Sequence, residues 1–284
     1  MSKKFVIYQG SGGLIHMLGG LVYTIDWCRK YKHHLIIDVK NHAFYKHKIS
    51  DFFNIINFTD YSETYDIIPN NITHFSRIPL EYIMNNNAEL TTGYYLQNIN
   101  VGKSLENDNS VIKIYVGHGG NDRNNIVKYI KVKPEIIDII QQNRLFKSII
   151  IPLESDTLTI PRLTEKYIGV HFRNTDRVNN INEYINKINK YSNQTIYIAT
   201  DDCTAFDRFT NANKDNTLIQ FTKPYNAGGK PIHMNDPNKY ELVMNILIDM
   251  YILLKADIFI SSPSSLVSKL VEHMRNNTNI YELC

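Results

Sequence analysis

The stretch Lys166–Arg177, with the sequence KYIGVHFRNTDR, joins an apolar run to a dense polar cluster. Its first part, Tyr167–Val170, is the kind of continuous apolar run that forms a buried strand of a parallel sheet. The polar cluster follows where that strand ends. Since ligands of open α/β sheets bind just beyond the carboxyl ends of the strands, the stretch predicts a strand with a ligand site at its end.

The polar cluster consists of His171, Arg173, Thr175, Asp176 and Arg177. Because side chains alternate along a strand, His171 and Arg173 are expected on one face and Phe172 on the other. Cationic groups are costly to bury and useful where an anion binds. The cluster therefore indicates either an anion site or a solvated strand end with a surface ion pair.

The composition is that of a folded protein with one large or two medium domains, since the 284 residues are 43% hydrophobic and 21% charged. A net charge of +3 without a dense basic block argues against a nucleic-acid partner and suits a small anionic ligand such as a nucleotide. No apolar run is long enough to predict a signal peptide or a membrane span. Cys28, Cys203 and Cys284 form no disulfide framework and no metal-ligand spacing, so a cytoplasmic location is expected.

The N-terminal segment predicts the start of a Rossmann-like domain. A strand at Phe5–Gln9, a glycine turn at Gly10–Gly13, a helix at Leu14–Tyr31 and a strand at Leu35–Asp38 follow one another. A glycine turn that leads into a helix can bind phosphate through its backbone N–H groups.

Gly12, Gly13 and His16 are the candidate ligand-binding residues of this segment, although a structural role for His16 fits equally well. A dinucleotide fingerprint would need glycine at the position of Ile15. A nicotinamide-dependent oxidoreductase is thus an alternative that only Asp38 supports.

The β–α alternation continues after an aromatic-rich region, residues 42–109, which suits either an acceptor-binding surface or ordinary core. Further strands are predicted at Val111–Val116, Ile149–Pro152, Tyr167–His171, Thr195–Ala199, Thr217–Phe221, Asp257–Ser261 and Ile280–Leu283. Helices are predicted at Pro134–Phe146, Asn182–Tyr191, Thr204–Phe209, Tyr240–Lys255 and Ser264–Arg275.

The segment Glu154–Glu165, with two prolines and little periodicity, is typical of a linker. The patterns on either side of it predict an α/β protein with an N-terminal Rossmann-like domain, residues 1–155, and a C-terminal one, residues 156–284, facing each other across a cleft.

Asp249 lies on the predicted helix Tyr240–Lys255, which is apolar nearly all round and is therefore mostly buried. A carboxylate there costs several kcal/mol unless it is paired or hydrogen-bonded. Its partner is expected to be a protein amide, an arginine or the N–H groups of a ligand base.

Two further polar groups end predicted strands. Ser264 and Ser265 lie where a strand turns into a helix, as an N-cap, an anion site or both. Thr200, Asp201 and Asp202 end another strand, where carboxylates can bind a cation or accept from ribose or sugar hydroxyls. No His, Cys or third acid stands at ligand spacing, so no metal site is expected.

These motifs, in this order, resemble the GDP-fucose-dependent fucosyltransferases, above all the α1,6-fucosyltransferases, with the α1,2-fucosyltransferases as the second choice. The matching segments are Gly169–Arg177, Tyr197–Asp202, Ala227-Gly228, Ile248-Asp249, Leu253–Asp257, Ser264–Leu270 and the glycine loop Gln9–His16.

The resemblance implies a GT-B fold, inversion at the fucose C1, no cofactor beyond the GDP-fucose donor, no required metal and a glycan acceptor. It implies that Arg173, helped by Arg177, binds the β-phosphate, and that His171 and Asp249 hold the guanine. Ser264 and Ser265 would bind phosphate, and the remaining candidate contacts are Gly12, Gly13, His16, Thr200, Asp201 and Asp202.

The chain departs from the family pattern in ways that bear on its source and its general base. It lacks the membrane anchor, stem and accessory module of the Golgi enzymes, so a soluble enzyme of a microbe or a virus is expected. The family's proposed catalytic glutamate would fall near Ile181, which leaves Asp176, Glu183 or a proton relay through the substrate or water as the alternatives for the base. A non-catalytic nucleotide-sugar or glycan-binding protein is the alternative; the oligomeric state is left open.

Overall fold

The computed structural model describes residues 5–10, 12–39, 47–64, 66, 112–117, 125–142, 166–175, 179–222, 224 and 237–277. The chain divides into two compact units, Met1–Lys131 and Val132–Cys284. The predicted domain boundary after residue 155 lies outside the described residues and stays a prediction.

The first unit contains a parallel sheet. Its elements are β1 (Phe5–Gly10), α1 (Leu14–Tyr31), β2 (His34–Ile37), a 3-10 helix (Ile49–Asp51), β3 (Phe53–Ile55), β4 (Tyr61–Ser62), β5 (Ile112–Gly117), α2 (Ile126–Tyr129) and β6 (Ile130–Val132). The strand order is β4-β2-β1-β5, with every pair parallel, while β3 and β6 form a separate two-stranded sheet. From β1, the strands β2 and β4 extend the sheet to one edge, and β5 pairs with the other side of β1.

The second unit repeats this arrangement. Its elements are α3 (Pro134–Gln142), β7 (Tyr167–Phe172), α4 (Ile181–Ile188), β8 (Thr195–Thr200), α5 (Ala205–Ala212), β9 (Thr217–Ile219), α6 (Lys239–Lys255), β10 (Ile258–Ile260) and α7 (Leu266–Asn276). The strand order is β10-β7-β8-β9, again all parallel. The order therefore reverses between β7 and β10, and the carboxyl ends of strands at such a switch point are where α/β proteins bind ligands.

Side-chain alternation divides the second sheet between two layers of helices. Val170 and Phe172 of β7 belong to a buried apolar cluster that includes Ile181 of α4 and Phe209 of α5. On the opposite face Gly169 lies so close to α6 that a Cβ there would come within 2.9 Å of Ala256. Glycine at this position therefore permits the close packing of α6 on β7.

The α/β fold with two Rossmann-like units is confirmed. The predicted helix Leu14–Tyr31 is confirmed with the same bounds, and β1, β2, β5, β7, β8, β9 and β10 lie where strands were predicted, with ends shifted by one or two residues. The short strands β3, β4 and β6 were not predicted. The predicted strands Ile149–Pro152 and Ile280–Leu283, and the linker Glu154–Glu165, lie outside the described residues.

Among the described residues, no helix combines the length and the apolar character that a membrane crossing requires.

Candidate functional site at the carboxyl edge of the second sheet

Arg173 follows the last residue of β7 and is paired with Asp201, the acid that follows the neighbouring strand β8. Its guanidinium Nη1 lies 3.5 Å from Oδ2 of Asp201, and the side chain keeps 24% of its surface exposed. Phe172 and Thr200 are in register, so the ends of β7 and β8 set the two charged residues side by side. The pair holds a partly solvated cation at the edge where a ligand would bind.

Asp201 also shapes the turn that follows β7. Its Oδ1 accepts from the backbone N–H of Asn174 at 2.7 Å, and its Oδ2 accepts from the hydroxyl of Thr175 at 2.6 Å. Three partners on one carboxylate restrain the turn that carries Arg173.

Asp202 has a similar supporting role. It accepts from the side-chain amide of Asn174 at 2.8 Å and from the N–H and hydroxyl of Thr204 at 2.9 and 2.8 Å, just before α5. Burial acts to raise the pKa of Asp202, but these hydrogen bonds, together with Arg208, outweigh burial and lower it. The hydroxyl of Thr200, another predicted ligand contact, accepts from the N–H of Asp202 at 3.0 Å. Thr200 and Asp202 thus stabilise the loop between β8 and α5, and their contact with a ligand stays a prediction.

His171 is a neutral hydrogen-bond donor with a defined tautomer. Its Nδ1 lies 2.7 Å from Oγ of Ser268, which itself accepts from the N–H of Ser262 at 2.8 Å. Ser268 is fully buried, so its hydroxyl hydrogen needs an acceptor, and His171 Nδ1 is the acceptor that the described structure offers. The ring proton is therefore on Nε2.

The charge state of His171 follows from its surroundings. Burial, helped by the nearby positive charge of Arg173, lowers the pKa of the imidazole to about 3. At neutral pH His171 is uncharged, and its Nε2–H can donate to a ligand while Nδ1 is engaged.

Asn179 joins the loop after β7 to the loop after β10. Its side-chain amide contacts the carbonyl of Arg173 and lies 3.1 Å from Oγ of Ser262 and 3.4 Å from Oγ of Ser264. The two loops beside the switch point are therefore connected through one residue.

The start of α7 contains a buried hydroxyl that finds no partner among the described residues. Ser265 is the N-cap residue, only 1% exposed, but its side chain makes no capping hydrogen bond, whereas Ser264 is exposed. Among the described residues its Oγ has no hydrogen-bond partner. An orphan hydroxyl costs free energy, and the partial positive charge of the helix N-terminus beside it favours an anion.

Asp249 has protein partners, as a buried acid requires, but they are two hydroxyls and not the amide or arginine that was predicted. The hydroxyls of Tyr197, on β8, and Thr222, after β9, both donate to its Oδ1, the latter at 2.8 Å. Part of the residue reaches the surface, but the carboxylate is so closely surrounded that burial raises its pKa to about 7, against the lowering effect of the two hydrogen bonds. Within the described residues, no donor reaches Oδ2.

In the first unit, the glycine turn lies at the carboxyl end of β1. Gly12 has φ of 76°, a left-handed conformation that favours glycine, and a Cβ there would lie 3.1 Å from His16. Gly13 is the extended N-cap residue of α1, with open space where a Cβ would lie. The backbone thus forms the predicted turn into a helix, while its contact with a ligand stays a prediction.

Of the two candidate bases, the structure describes Glu183. Asp176 and Arg177 lie outside the described residues. Ile181 is buried in the core at the start of α4, whereas Glu183 is exposed in the first turn of the same helix. Isoleucine has no ionisable group, so Ile181 cannot serve as an acid or a base, whereas Glu183 is accessible to solvent.

No group of three or more His, Cys, Asp or Glu side chains in the described ranges is arranged to hold a metal ion.

Four site residues were not singled out from the sequence: Asn179, Ser268, Tyr197 and Thr222. Each acts through a partner far away in the chain, such as Ser262 for Asn179. A polar residue in the loop after a predicted strand or on a predicted helix could have marked Asn179, Thr222 and Ser268, but no such signal marks Tyr197, which lies in the middle of β8.

Comparisons with known proteins find the fold but no sequence family. No protein-family model and no curated protein sequence matches the chain. The structure is similar to that of NodZ, an α1,6-fucosyltransferase from Bradyrhizobium, at 17% identity and a TM-score of 0.53, covering 96% of this chain and 92% of that one.

Two other fucosyltransferase structures are similar at 9% identity. One is a variant of Arabidopsis thaliana FUT1 in complex with GDP, with a TM-score of 0.54 over 96% of this chain and 69% of that one. The other is POFUT1 in complex with GDP-fucose, with a TM-score of 0.51 over 95% and 93%. The chain thus has the fold of the GT-B fucosyltransferases, which confirms at the level of fold the resemblance seen in the sequence.

Proposed function

We propose that this chain is an inverting glycosyltransferase that moves L-fucose from GDP-fucose to a hydroxyl of a glycan. One observation carries the proposal: in a fold shared with fucosyltransferases, Asn179 connects the loop of the partly exposed Arg173 to the serine loop before α7. A cation and a helix N-terminus with an orphan buried hydroxyl, that of Ser265, are thus assembled at the switch point of the sheet.

Arg173 and α7 act on the leaving diphosphate. As the bond between fucose and GDP breaks, negative charge grows on the β-phosphate, and the guanidinium neutralises it. Asp201 holds Arg173 in place, so little reorganisation is needed when that charge develops. The N-terminus of α7 and the hydroxyl of Ser265 bind the phosphate oxygens.

His171 and Asp249 bind the nucleoside. The neutral imidazole donates from Nε2, since Nδ1 is bonded to Ser268. Oδ2 of Asp249 accepts from the N–H groups of guanine, because Oδ1 is occupied by Tyr197 and Thr222. The base that deprotonates the acceptor hydroxyl is Asp176 or Glu183.

Turnover is tested by incubating the protein with GDP-fucose and galactosyl, N-acetylglucosaminyl and rhamnosyl acceptors while the release of GDP is followed. The proposal expects acceptor-dependent release that persists in the presence of a chelator, since Arg173 and α7 provide the charge neutralisation. Release of GDP that requires an added divalent cation would contradict metal independence. If the protein neither turned over GDP-fucose nor bound GDP, the whole proposal would be contradicted.

A second candidate function is a non-catalytic nucleotide-sugar-binding protein. It is favoured by Ile181, which is buried in the core where the family's proposed glutamate would fall. Binding of GDP without release of GDP from GDP-fucose, across the same acceptors, would select it.

A further inference from the structure

Two hydroxyl groups from different parts of the second sheet meet on one carboxylate oxygen. Tyr197, fully buried on β8, and Thr222, 6% exposed and just after β9, both donate to Oδ1 of Asp249 on α6. Burial, and next the charge of Asp249, keep the pKa of Tyr197 well above its usual range, so the phenol stays a donor at every pH of interest.

This arrangement fixes the orientation of the carboxylate. Rotation of Asp249 about its Cβ–Cγ bond would break both hydrogen bonds at once, so Oδ1 stays towards the protein. Oδ2 receives no hydrogen bond from the residues that the structure describes. The free oxygen of an oriented carboxylate is suited to accept from N–H donors of a ligand.

The charge of Asp249 is also controlled by the two hydroxyls. No charged side chain of the described residues acts on this carboxyl; from β8 it is faced by Tyr197 and from the segment after β9 by Thr222. Burial disfavours the carboxylate and raises its pKa, while the two donated hydrogen bonds favour it. Removing either donor would therefore extend the neutral form of Asp249 to a higher pH.

We infer that Tyr197 and Thr222 are positioning residues that orient Asp249 towards the nucleobase and make recognition of the base depend on pH. The inference rests on the proposed function, since it takes the base of the donor as the ligand of Oδ2. The ionised carboxyl is a stronger acceptor for ring N–H groups than the neutral acid, whose protonated oxygen becomes a donor, so binding weakens as Asp249 becomes protonated.

Thr222→Val tests the inference with little change in shape, and Tyr197→Phe is the second variant. GDP binding is measured by calorimetry between about pH 6 and pH 9, and each dissociation constant is divided by the wild-type value at the same pH. The ratio cancels the titration of the phosphate groups of GDP. Loss of one hydrogen bond to the carboxylate is expected to weaken binding about three- to tenfold near pH 7 and to leave it within about twofold at pH 9.

Two variants serve as controls. Thr222→Ser keeps the hydroxyl and should restore the wild-type pH profile. Tyr240→Phe removes a hydroxyl from an exposed residue of the same helix, α6, and should leave the ratio near one at every pH.

A ratio that is the same at every pH would mean that Tyr197 and Thr222 only support the fold, and it would overturn the inference while leaving the proposed function intact. Absence of GDP binding by the wild-type protein at every pH would instead overturn the proposed function, and the inference with it.

Discussion

Oδ2 of Asp201 lies 3.5 Å from the guanidinium of Arg173 while the same carboxylate holds the turn through Asn174 and Thr175. An exposed ion pair by itself contributes little to stability. Here the acid also satisfies a backbone N–H and a hydroxyl, so it links the position of the cation to the conformation of the loop.

Replacing Asp201 by alanine should destabilise the protein, because it removes the acceptor of the Asn174 N–H and the Thr175 hydroxyl. We expect the free energy of unfolding to fall by about 1–3 kcal/mol, measured by urea denaturation. Asp201→Asn keeps one acceptor oxygen and should cost less. An alanine variant as stable as the wild type would show that these contacts do not hold the turn.

Asn179→Ala should weaken GDP binding several-fold, since Asn179 connects the carbonyl of Arg173 to Ser262. Its neighbour Asn180 provides a matched control. Asn180 caps α4 by accepting from the N–H of Asn182, so Asn180→Ala should cost about 1 kcal/mol of stability without changing the affinity. Equal losses of affinity in both variants would argue against a specific role for Asn179.

Gly12 and Gly13 should respond differently to the same substitution. Gly12→Ser places a side chain in a left-handed conformation next to His16 and should lower the free energy of unfolding by about 1–2 kcal/mol. Gly13→Ser should be neutral or stabilising, because the site is open, extended and at the N-cap of α1, where serine is favoured. Thermal unfolding of the two variants measures this difference. Comparable melting temperatures for Gly12→Ser and Gly13→Ser would contradict the left-handed conformation described for Gly12.

The Gly13→Ser variant also tests the predicted contact of this turn with the donor. If the backbone at Gly13 approaches GDP-fucose, turnover should fall although the fold is intact. Unchanged turnover would remove Gly13 from the set of ligand contacts.

The charge of Asp249 should make stability depend on pH. Burial raises the pKa of the folded carboxyl from 3.8 to about 7, so ionisation destabilises the folded state. This loss of stability grows as the pH rises from the pKa of the carboxyl in the unfolded chain towards its pKa in the folded protein. It is absent in Asp249→Asn, whose side chain does not ionise. Between about pH 5 and pH 8, the wild type should lose on the order of 2 kcal/mol of unfolding free energy relative to the variant.

Urea denaturation at both pH values measures this difference. A difference between wild type and Asp249→Asn that stays constant with pH would show that the carboxyl is not perturbed in the folded protein.

The periodic parts of the fold were predictable from the sequence. The bounds of α1 follow from a glycine turn next to a long apolar pattern, and β7 follows from an apolar run that ends in polar residues. The polar contacts were not predictable in the same way. The need of Asp249 for a partner followed from its burial, but Tyr197 and Thr222 stand 52 and 27 residues away in the chain.

The serine loop shows the same limit. A helix start at Ser264 or Ser265 was predicted from residue type, and Ser265 is the N-cap residue, but its side chain makes no capping bond. The bond from Ser268 to His171, 97 residues away, depends on how α7 packs on the sheet, which no local pattern encodes.

Calorimetric titration of GDP into the wild type and the Arg173→Gln variant tests the central claim most directly. Lys214→Ala is the matched control, since it removes an exposed positive charge that lies before β9, at the opposite end of the strands. We expect GDP to bind the wild type and Lys214→Ala equally and Arg173→Gln at least about tenfold more weakly, as for loss of a charged donor. The assignment of Arg173 to the diphosphate would be contradicted if GDP bound Arg173→Gln as tightly as the wild type. It would also be contradicted if GDP did not bind the wild type.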